Sequence, residues 1–240
     1  MERTTKNLIV IGGGAAGIFC AVNAARKDPS LGVIVLEKTG KLLGKVRVSG
    51  GGRCNVTHAC YEIGDMAKRY PRGGHFVRKA FHRWFTTDTI AWFGERGVEL
   101  KTEEDGRMFP VSDSSQTIID CLMKEVNLRR VEIRMQAEVK EVASGGTIGS
   151  GFPAGGNGFR VRLADGRTLT ADYLCIACGG FPRTGMFEWI ERLGHRIEAP
   201  VPSLFTFNMP GHPITKLMGV AVPEAQIKIA GSRLLEKGPC

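Results

Sequence analysis

The sequence predicts an α/β domain built around a central parallel sheet, and three observations predict it. The apolar run Leu8-Ile9-Val10-Ile11 passes directly into Gly12-Gly13-Gly14-Ala15-Ala16-Gly17, a G-x-G-x-x-G turn. The next stretch carries Ile18, Ala21, Val22 and Ala25 at i, i+3, i+4 and i+7, the buried stripe of a helix. A second apolar run, Val33-Ile34-Val35-Leu36, then ends in Glu37, 20 residues after Gly17. In that order these pieces make a Rossmann-like dinucleotide site. Gly12 allows the tight turn, Gly14 lets backbone amides approach a pyrophosphate, and Gly17 lets the helix pack closely on the strand. Ala15 and Ala16 open the helix, whose N-terminus attracts the phosphates. Glu37 accepts hydrogen bonds from the hydroxyls of an adenosine ribose, with Lys38 beside it in the candidate site.

Composition narrows the class. At 240 residues, 42% hydrophobic and 24% charged, the chain is globular rather than disordered, with length for one large domain or one and part of another. A net charge of +9 favours anionic partners: a phosphate-bearing cofactor, an acidic small substrate or nucleic acid. Leu8 to Ala25 is free of charge and could be mistaken for a targeting segment, but the intact glycine fingerprint inside it rejects that reading. Nothing later is apolar enough to span a bilayer, so no membrane partner is expected. Seven cysteines without a secretory signal point to reduced thiols and a cytoplasmic location.

A second glycine-rich block follows the fingerprint. Ser49-Gly50-Gly51-Gly52-Arg53-Cys54-Asn55-Val56-Thr57 reads as a loop whose amides lie against a ligand, with Arg53 as a cation for phosphate or a reduced flavin. Together with Gly12–Gly17 it resembles the bacterial flavoproteins called the HI0933-like family, NAD(P)/FAD-dependent oxidoreductases with a glutathione-reductase-type FAD domain. Glu104-Asp105-Gly106-Arg107-Met108-Phe109-Pro110-Val111-Ser112 resembles the family's E-x-G-R-x-F-P-x-S segment, and Ala177-Cys178-Gly179-Gly180 its late A-T-G-G strand with Cys in place of Thr. The family's G-S-T-G-D-G-like turn does not follow; Phe181-Pro182-Arg183-Thr184-Gly185 stands there instead. The resemblance spans most of residues 7 to 223. It implies FAD as the cofactor, NAD(P)H as electron donor, and a site made by Gly12, Gly14, Ala15, Ala16, Gly17, Glu37, Lys38, Gly51, Gly52, Arg53, Cys54, Asn55, Ala177, Gly179 and Gly180. It adds Val139, whose strand reaches the adenine through its backbone.

Between Tyr61 and Phe85, Lys68, Arg69, Arg72, Arg78, Lys79 and Arg83 alternate with Tyr70, Phe76, Phe81, Trp84 and Phe85. An RNA-binding face is one reading. The favoured one is an amphipathic helix that buries Phe76, Ala80, Phe81 and Trp84 and leaves Arg78, Lys79 and Arg83 on its polar side. Further helices are expected from about Thr87 to Arg96, stopping near Gly97, and from Asp113, with Gln116 in capping-box spacing and the stripe Ile118, Ile119, Leu122, Met123 and Val126. Val131 to Val142 reads as extended chain. Gly149-Ser150-Gly151-Phe152-Pro153-Ala154 imitates a second fingerprint, but Pro153 and the absence of a helical period exclude it. Phe159 to Leu163 and Thr168 to Tyr173 form a hairpin around Asp165-Gly166, and Leu174-Cys175-Ile176-Ala177 is a buried strand leading back to the cofactor.

Cys54-x5-Cys60 misses the G-G-x-C-x4-C spacing of a flavin disulfide reductase. Cys175-x-x-Cys178 lies on a strand, so its thiols point to opposite faces and read as packing. The five histidines show no metal-ligand spacing, and no metal is expected.

The expected architecture is a Rossmann-like FAD-binding domain over 1–199, with a central parallel sheet, a small antiparallel layer and a helical excursion over about 61–126. The start of an inserted β-rich substrate domain covers 200–240, with strand-like pieces at Leu204 to Met209 and Gln226 to Ala230. The late glycine-rich segment that closes over the flavin in glutathione-reductase-type flavoproteins is not reached before Cys240. The chain is therefore expected to be the N-terminal part of a longer protein and to hold FAD poorly by itself. The expected function is FAD-dependent oxidoreduction, hydride passing from NAD(P)H through the flavin to an organic small-molecule acceptor, such as an enone of steroid or bile-acid type. A flavin-dependent RNA-modifying enzyme and a non-catalytic FAD-binding module are the alternatives. Nucleic acid is the less favoured partner, and the sequence leaves the catalytic group and oligomeric state open.

Overall fold

A computed structural model describes residues 6–145, 158–180, 184–201, 208–217, 220, 222 and 224–238. Two compact units divide the chain, residues 1–197 and 198–240. The larger opens with β1 (Asn7–Ile11), α1 (Ala15–Lys27), β2 (Gly32–Leu36) and α2 (Gly44–Val48). A 3-10 turn at Ser49–Gly52 leads to β3 (Thr57–His58), α3 (Ile63–Lys68), α4 (Gly74–Phe81) and α5 (Thr86–Gly94). Then come β4 (Leu100–Thr102), β5 (Arg107–Pro110), α6 (Ser115–Leu128), β6 (Glu132–Arg134) and β7 (Val139–Ser144). Last are β8 (Phe159–Leu163), β9 (Thr168–Ala171), β10 (Tyr173–Ile176) and α7 (Glu188–Glu191).

The central sheet is wholly parallel, in the order β10-β1-β2-β6. Strand alternation sorts its side chains into two cores. Leu8, Val10, Val33 and Val35 face Ile18, Ala21, Val22 and Ala25 of α1 and Ile118, Ile119, Leu122 and Val126 of α6. Ile9, Ile11 and Leu36 face the other way, onto Val142, Val161, Leu163 and Ala171 of the antiparallel sheet β7-β8-β9. The domain is thus helices, parallel sheet and antiparallel sheet in three layers. A second small sheet, β3-β5-β4, wraps the fully buried Phe109. No helix among the described residues is long and apolar enough to cross a membrane.

Several boundaries differ from the sequence reading for local reasons. The last long helix is capped by Ser114, whose hydroxyl accepts from the Gln116 amide; Asp113 sits one residue outside at φ 51° and pairs with Lys101. Val131–Val142 breaks into β6 and β7 around Gln136, which is also left-handed. Tyr173 leaves the hairpin to start β10, because β10 pairs in parallel with β1 while β9 pairs with β8. The expected stripe of the basic helix does not form. Phe76 is 80% exposed, Ala80 and Trp84 are also exposed, and α4 has no buried residue. The imitation fingerprint at 149–154 lies outside the described residues.

In the smaller unit, β11 (Ala225–Lys228) and β12 (Leu235–Gly238) form an antiparallel hairpin. Ile229 and Ala230, expected as strand, belong to its connection, and the expected strand at Leu204 to Met209 lies outside the described residues except for Asn208 and Met209, which are not in a strand.

The close approach of α1 to β1 is set at one crossing. A Cβ on Gly17 would overlap the carbonyl oxygen of Gly12, and one on Gly12 would lie 2.5 Å from the Ala177 carbonyl oxygen. Gly17→Ala is expected to lower the urea midpoint by the equivalent of about 3 kcal/mol, the upper range for forced overpacking. An unchanged midpoint would show that the crossing relaxes freely.

Candidate dinucleotide site

The turn between β1 and α1 is held from the residues that follow β2. The Gly13 amide donates to Glu37 Oε2 at 2.8 Å, and the Gly13 carbonyl accepts from the Leu43 amide at 2.9 Å. Glu37 Oε1 accepts from the Thr39 amide and hydroxyl, both at 2.8 Å. The carboxylate therefore shapes the turn as well as lining the cavity beside it. No side chain caps α1, its first turn carries no acid, and a Cβ on Gly14 would meet nothing within 4 Å. Free helix-terminal amides beside an open space are what a pyrophosphate requires, so a dinucleotide fits here.

Two cavities flank this turn. The first, about 240 Å3, is lined by Gly12, Glu37, Lys38, Val139, Cys178 and Trp189, among others. Its floor exists because the Glu37 amide donates to the Arg134 carbonyl and the Ala137 amide to the Glu37 carbonyl, which carries the chain from β6 past the acid into β7. Carboxylate, backbone edge and indole together suit an adenosine.

The second cavity, about 470 Å3, lies against Ala15, Ala16 and Phe19 of α1 and is closed by Lys45, Cys54, Asn55, Trp84 and Phe93, among others. Gly50, Gly51 and Gly52 all have positive φ, between 56° and 87°, a run that only glycine adopts without strain. The chain emerges from it with Cys54 buried and itself left-handed at φ 65°. Burial pushes the Cys54 thiol pKa up.

Arg53 is placed differently from the expectation. Its guanidinium pairs with Glu103, lies 3.6 Å from Asp113 and stacks 4.0 Å over the Phe109 ring, outside both cavities. Hydrogen bonding to Glu103 raises its pKa further, and Lys101, with Arg53 behind it, holds Asp113 below the usual carboxylate range. The cation that does approach the late glycines is Lys45, whose Nζ is 3.9 Å from the position of a Cβ on Gly179. Ala177 lies against Gly12, while Gly179 and Gly180 are exposed; Gly51 and Gly52 line neither cavity. Thr39, Leu43, Lys45 and Trp189 were missed by sequence reasoning. Only Thr39 and Leu43 left a signal, their closeness in sequence to Glu37.

Cys178 joins the first cavity, whereas Cys175 turns to the opposite side of β10, toward Cys20 of α1. The Cys20 thiol donates a hydrogen bond that holds Cys175 below the ordinary thiol range and leaves Cys20 itself raised.

A family model described as HI0933-like protein Rossmann domain matches residues 6–235. The chain is 28% identical over 232 residues to a 3-dehydro-bile acid delta(4,6)-reductase of Clostridium scindens, covering 94% of this chain and 53% of that protein. It is 32% identical over 233 residues to a ribosomal RNA dihydrouridine synthase of Escherichia coli, covering 93% and 53%. The chain thus spans about half the length of the curated relatives it matches. Among solved structures, a 3-ketosteroid-delta4-(5alpha)-dehydrogenase from Rhodococcus jostii RHA1 superposes with a TM-score of 0.50 at 15% identity, covering 78% of this chain and 49% of that one; this likeness concerns the fold alone.

Two outcomes test the site. Glu37→Ala should weaken dinucleotide binding by about 2 kcal/mol, the loss of charge-assisted hydrogen bonds, read by titrating the dinucleotide against the purified protein. Undiminished affinity would remove Glu37 from the site. Cys20→Ala should move the pH midpoint of Cys175 alkylation upward, since the donor that favours the thiolate is gone. A midpoint that stays put would mean the two thiols do not share a proton.

Proposed function

The chain belongs to the HI0933-like family of Rossmann-domain proteins, and from that premise we propose that it binds FAD in an oxidoreductase that moves hydride from NAD(P)H to a ring carbon–carbon double bond conjugated to a carbonyl. One observation carries the reading: two cavities on either side of an uncapped helix N-terminus, the one beyond the adenosine-like pocket being the larger and mostly apolar. A dinucleotide whose second half is a broad ring calls for that asymmetry.

In this reading residues 1–199 are the FAD-binding domain, and residues from 200 onward begin a substrate domain. The amides that open α1 hold the pyrophosphate, Glu37 the ribose, and the Val139 backbone the adenine edge. Asn55 and Lys45 offer polar groups to the ring half, while Phe19, Val46, Val56, Trp84 and Phe93 keep water from it. When bound, FAD supplies the hydride chemistry, and the protein contributes position and electrostatics. Seven cysteines suit a reducing cytoplasm.

What the two relatives' names share supports the choice of acceptor. A delta(4,6)-reductase and a dihydrouridine synthase each saturate a ring double bond, which in a 3-oxo steroid and in uracil alike is conjugated to a carbonyl. A steroid- or bile-acid-type enone is the first acceptor. A uridine in RNA is the second reading, favoured by the Escherichia coli relative and by the charge of +9.

The test is anaerobic spectroscopy of the full-length protein. The expected result is a flavin absorbance that NADH or NADPH bleaches and that a 3-oxo-Δ4 steroid or a uridine-containing RNA restores. A protein without flavin, or a bleached flavin that neither acceptor reoxidises, would overturn the proposal.

A further inference from the structure

The failed stripe of α4 leaves an unusual surface. From Met66 to Thr87 the chain contains no acidic residue. Arg78, Lys79 and Arg83 are exposed and form no ion pair among the described residues; Lys68 is held by Asp65, whose carboxylate Arg69 also approaches. Phe76, at 80% exposure, lies on the same helix as Arg78 and Lys79, and Tyr70 and Trp84 are exposed at 43% and 38%. An aromatic ring surrounded by cations in water offers a stacking platform inside a positive field.

Behind this face lies a third cavity of about 330 Å3. Its walls include Tyr70, Phe81, Trp84 and Phe85, with Tyr70–Phe81 and Phe81–Phe85 centroids 5.8 and 5.3 Å apart, and Thr57 and Thr86 supply hydroxyls. It shares Asn55, Val56, Trp84 and Thr89 with the larger cavity beside α1. The two cavities are therefore neighbours separated by a shared wall that includes Trp84.

We propose that the face formed by α4 and its flanks binds single-stranded RNA, its cations holding phosphates, Phe76 stacking on a base, and the aromatic cavity behind Trp84 receiving one unstacked base. The inference rests on the RNA reading of the acceptor and gives it a surface. An anionic polymer with flat rings matches cations and aromatics together. An acidic protein would use the charge and leave the cavity idle. A lipid surface would not call for hydroxyls and an amide inside an aromatic pocket.

The experiment uses full-length flavin-loaded protein and fluorescent oligouridylate, with binding followed by anisotropy between about 50 and 200 mM salt. Wild-type affinity should fall linearly in log–log form. Arg78→Ala/Lys79→Ala should reduce that slope by about 1.4, at about 0.7 per phosphate contact on a single strand. Phe76→Ala should weaken binding about tenfold at one salt concentration, and Phe76→Trp should restore it. NAD(P)H bleaching should stay unchanged in all three variants, because none touches the cofactor cavities. No RNA binding by the wild type, an unchanged slope in the double variant, or a Phe76→Cys thiol that maleimide cannot reach in the full-length protein would each overturn the proposal. RNA binding without turnover would refute the proposed reaction and leave this surface standing. Steroid reduction without RNA binding would do the reverse.

Discussion

Gly13 is fixed from both sides, its amide by the Glu37 carboxylate and its carbonyl by the Leu43 amide. The organisation of the nucleotide site depends on that pair of hydrogen bonds. They tie the turn after β1 to the loop after β2, so the open N-terminus of α1 and the Glu37 carboxylate have one fixed relation. A surface ion pair of similar length would contribute little. Here the acceptor is an anion satisfied by three donors, one of them in the turn itself, and charge-assisted bonds of this kind are the stronger class. The same carboxylate thus holds the turn and lines the cavity beside it.

Around that point the layers follow from simple periodicity. In β1 and β2 alternate residues feed different cores, so the two strands, apolar on both faces, are sandwiched between helices and an antiparallel sheet. This much was legible in the sequence because each signal is local: the apolar runs, the 3.6-residue stripe of α1 and α6, the Asp165-Gly166 turn. Helix caps were less so. Asp113 and Ser114 are both good caps by type, and what separates them is tertiary: Lys101 and Arg53 draw Asp113 outward, leaving Ser114 to hold the Gln116 amide.

The candidate site was legible in the same uneven way. Gly12, Gly14, Gly17 and Glu37 are spaced by the geometry of one strand-turn-helix unit and could be found by counting. The surroundings of Arg53 could not, since its neighbours Glu103, Asp113 and Phe109 come from segments about fifty or more residues away and place its guanidinium in an ion-pair cluster. Lys45 and Trp189 come to the site through packing alone. The α4 stripe failed for the converse reason. Amphipathic spacing says that one face is apolar, but whether anything lies against that face is decided elsewhere in the fold.

The central sheet also has a history. β1 is paired on one side by β2, the next strand, and on the other by β10; where β1 begins, the Asn7 amide meets Asp172, 165 residues later. At a synthesis rate of about 5–20 residues per second, the first strand waits roughly ten to thirty seconds for that neighbour to be made. During this interval one edge of β1 offers unpaired amides and carbonyls to any other extended chain. β1 is therefore a strand in need of shielding on the ribosome, and its amide exchange should fall only when chains are long enough for β10 to clear the exit tunnel.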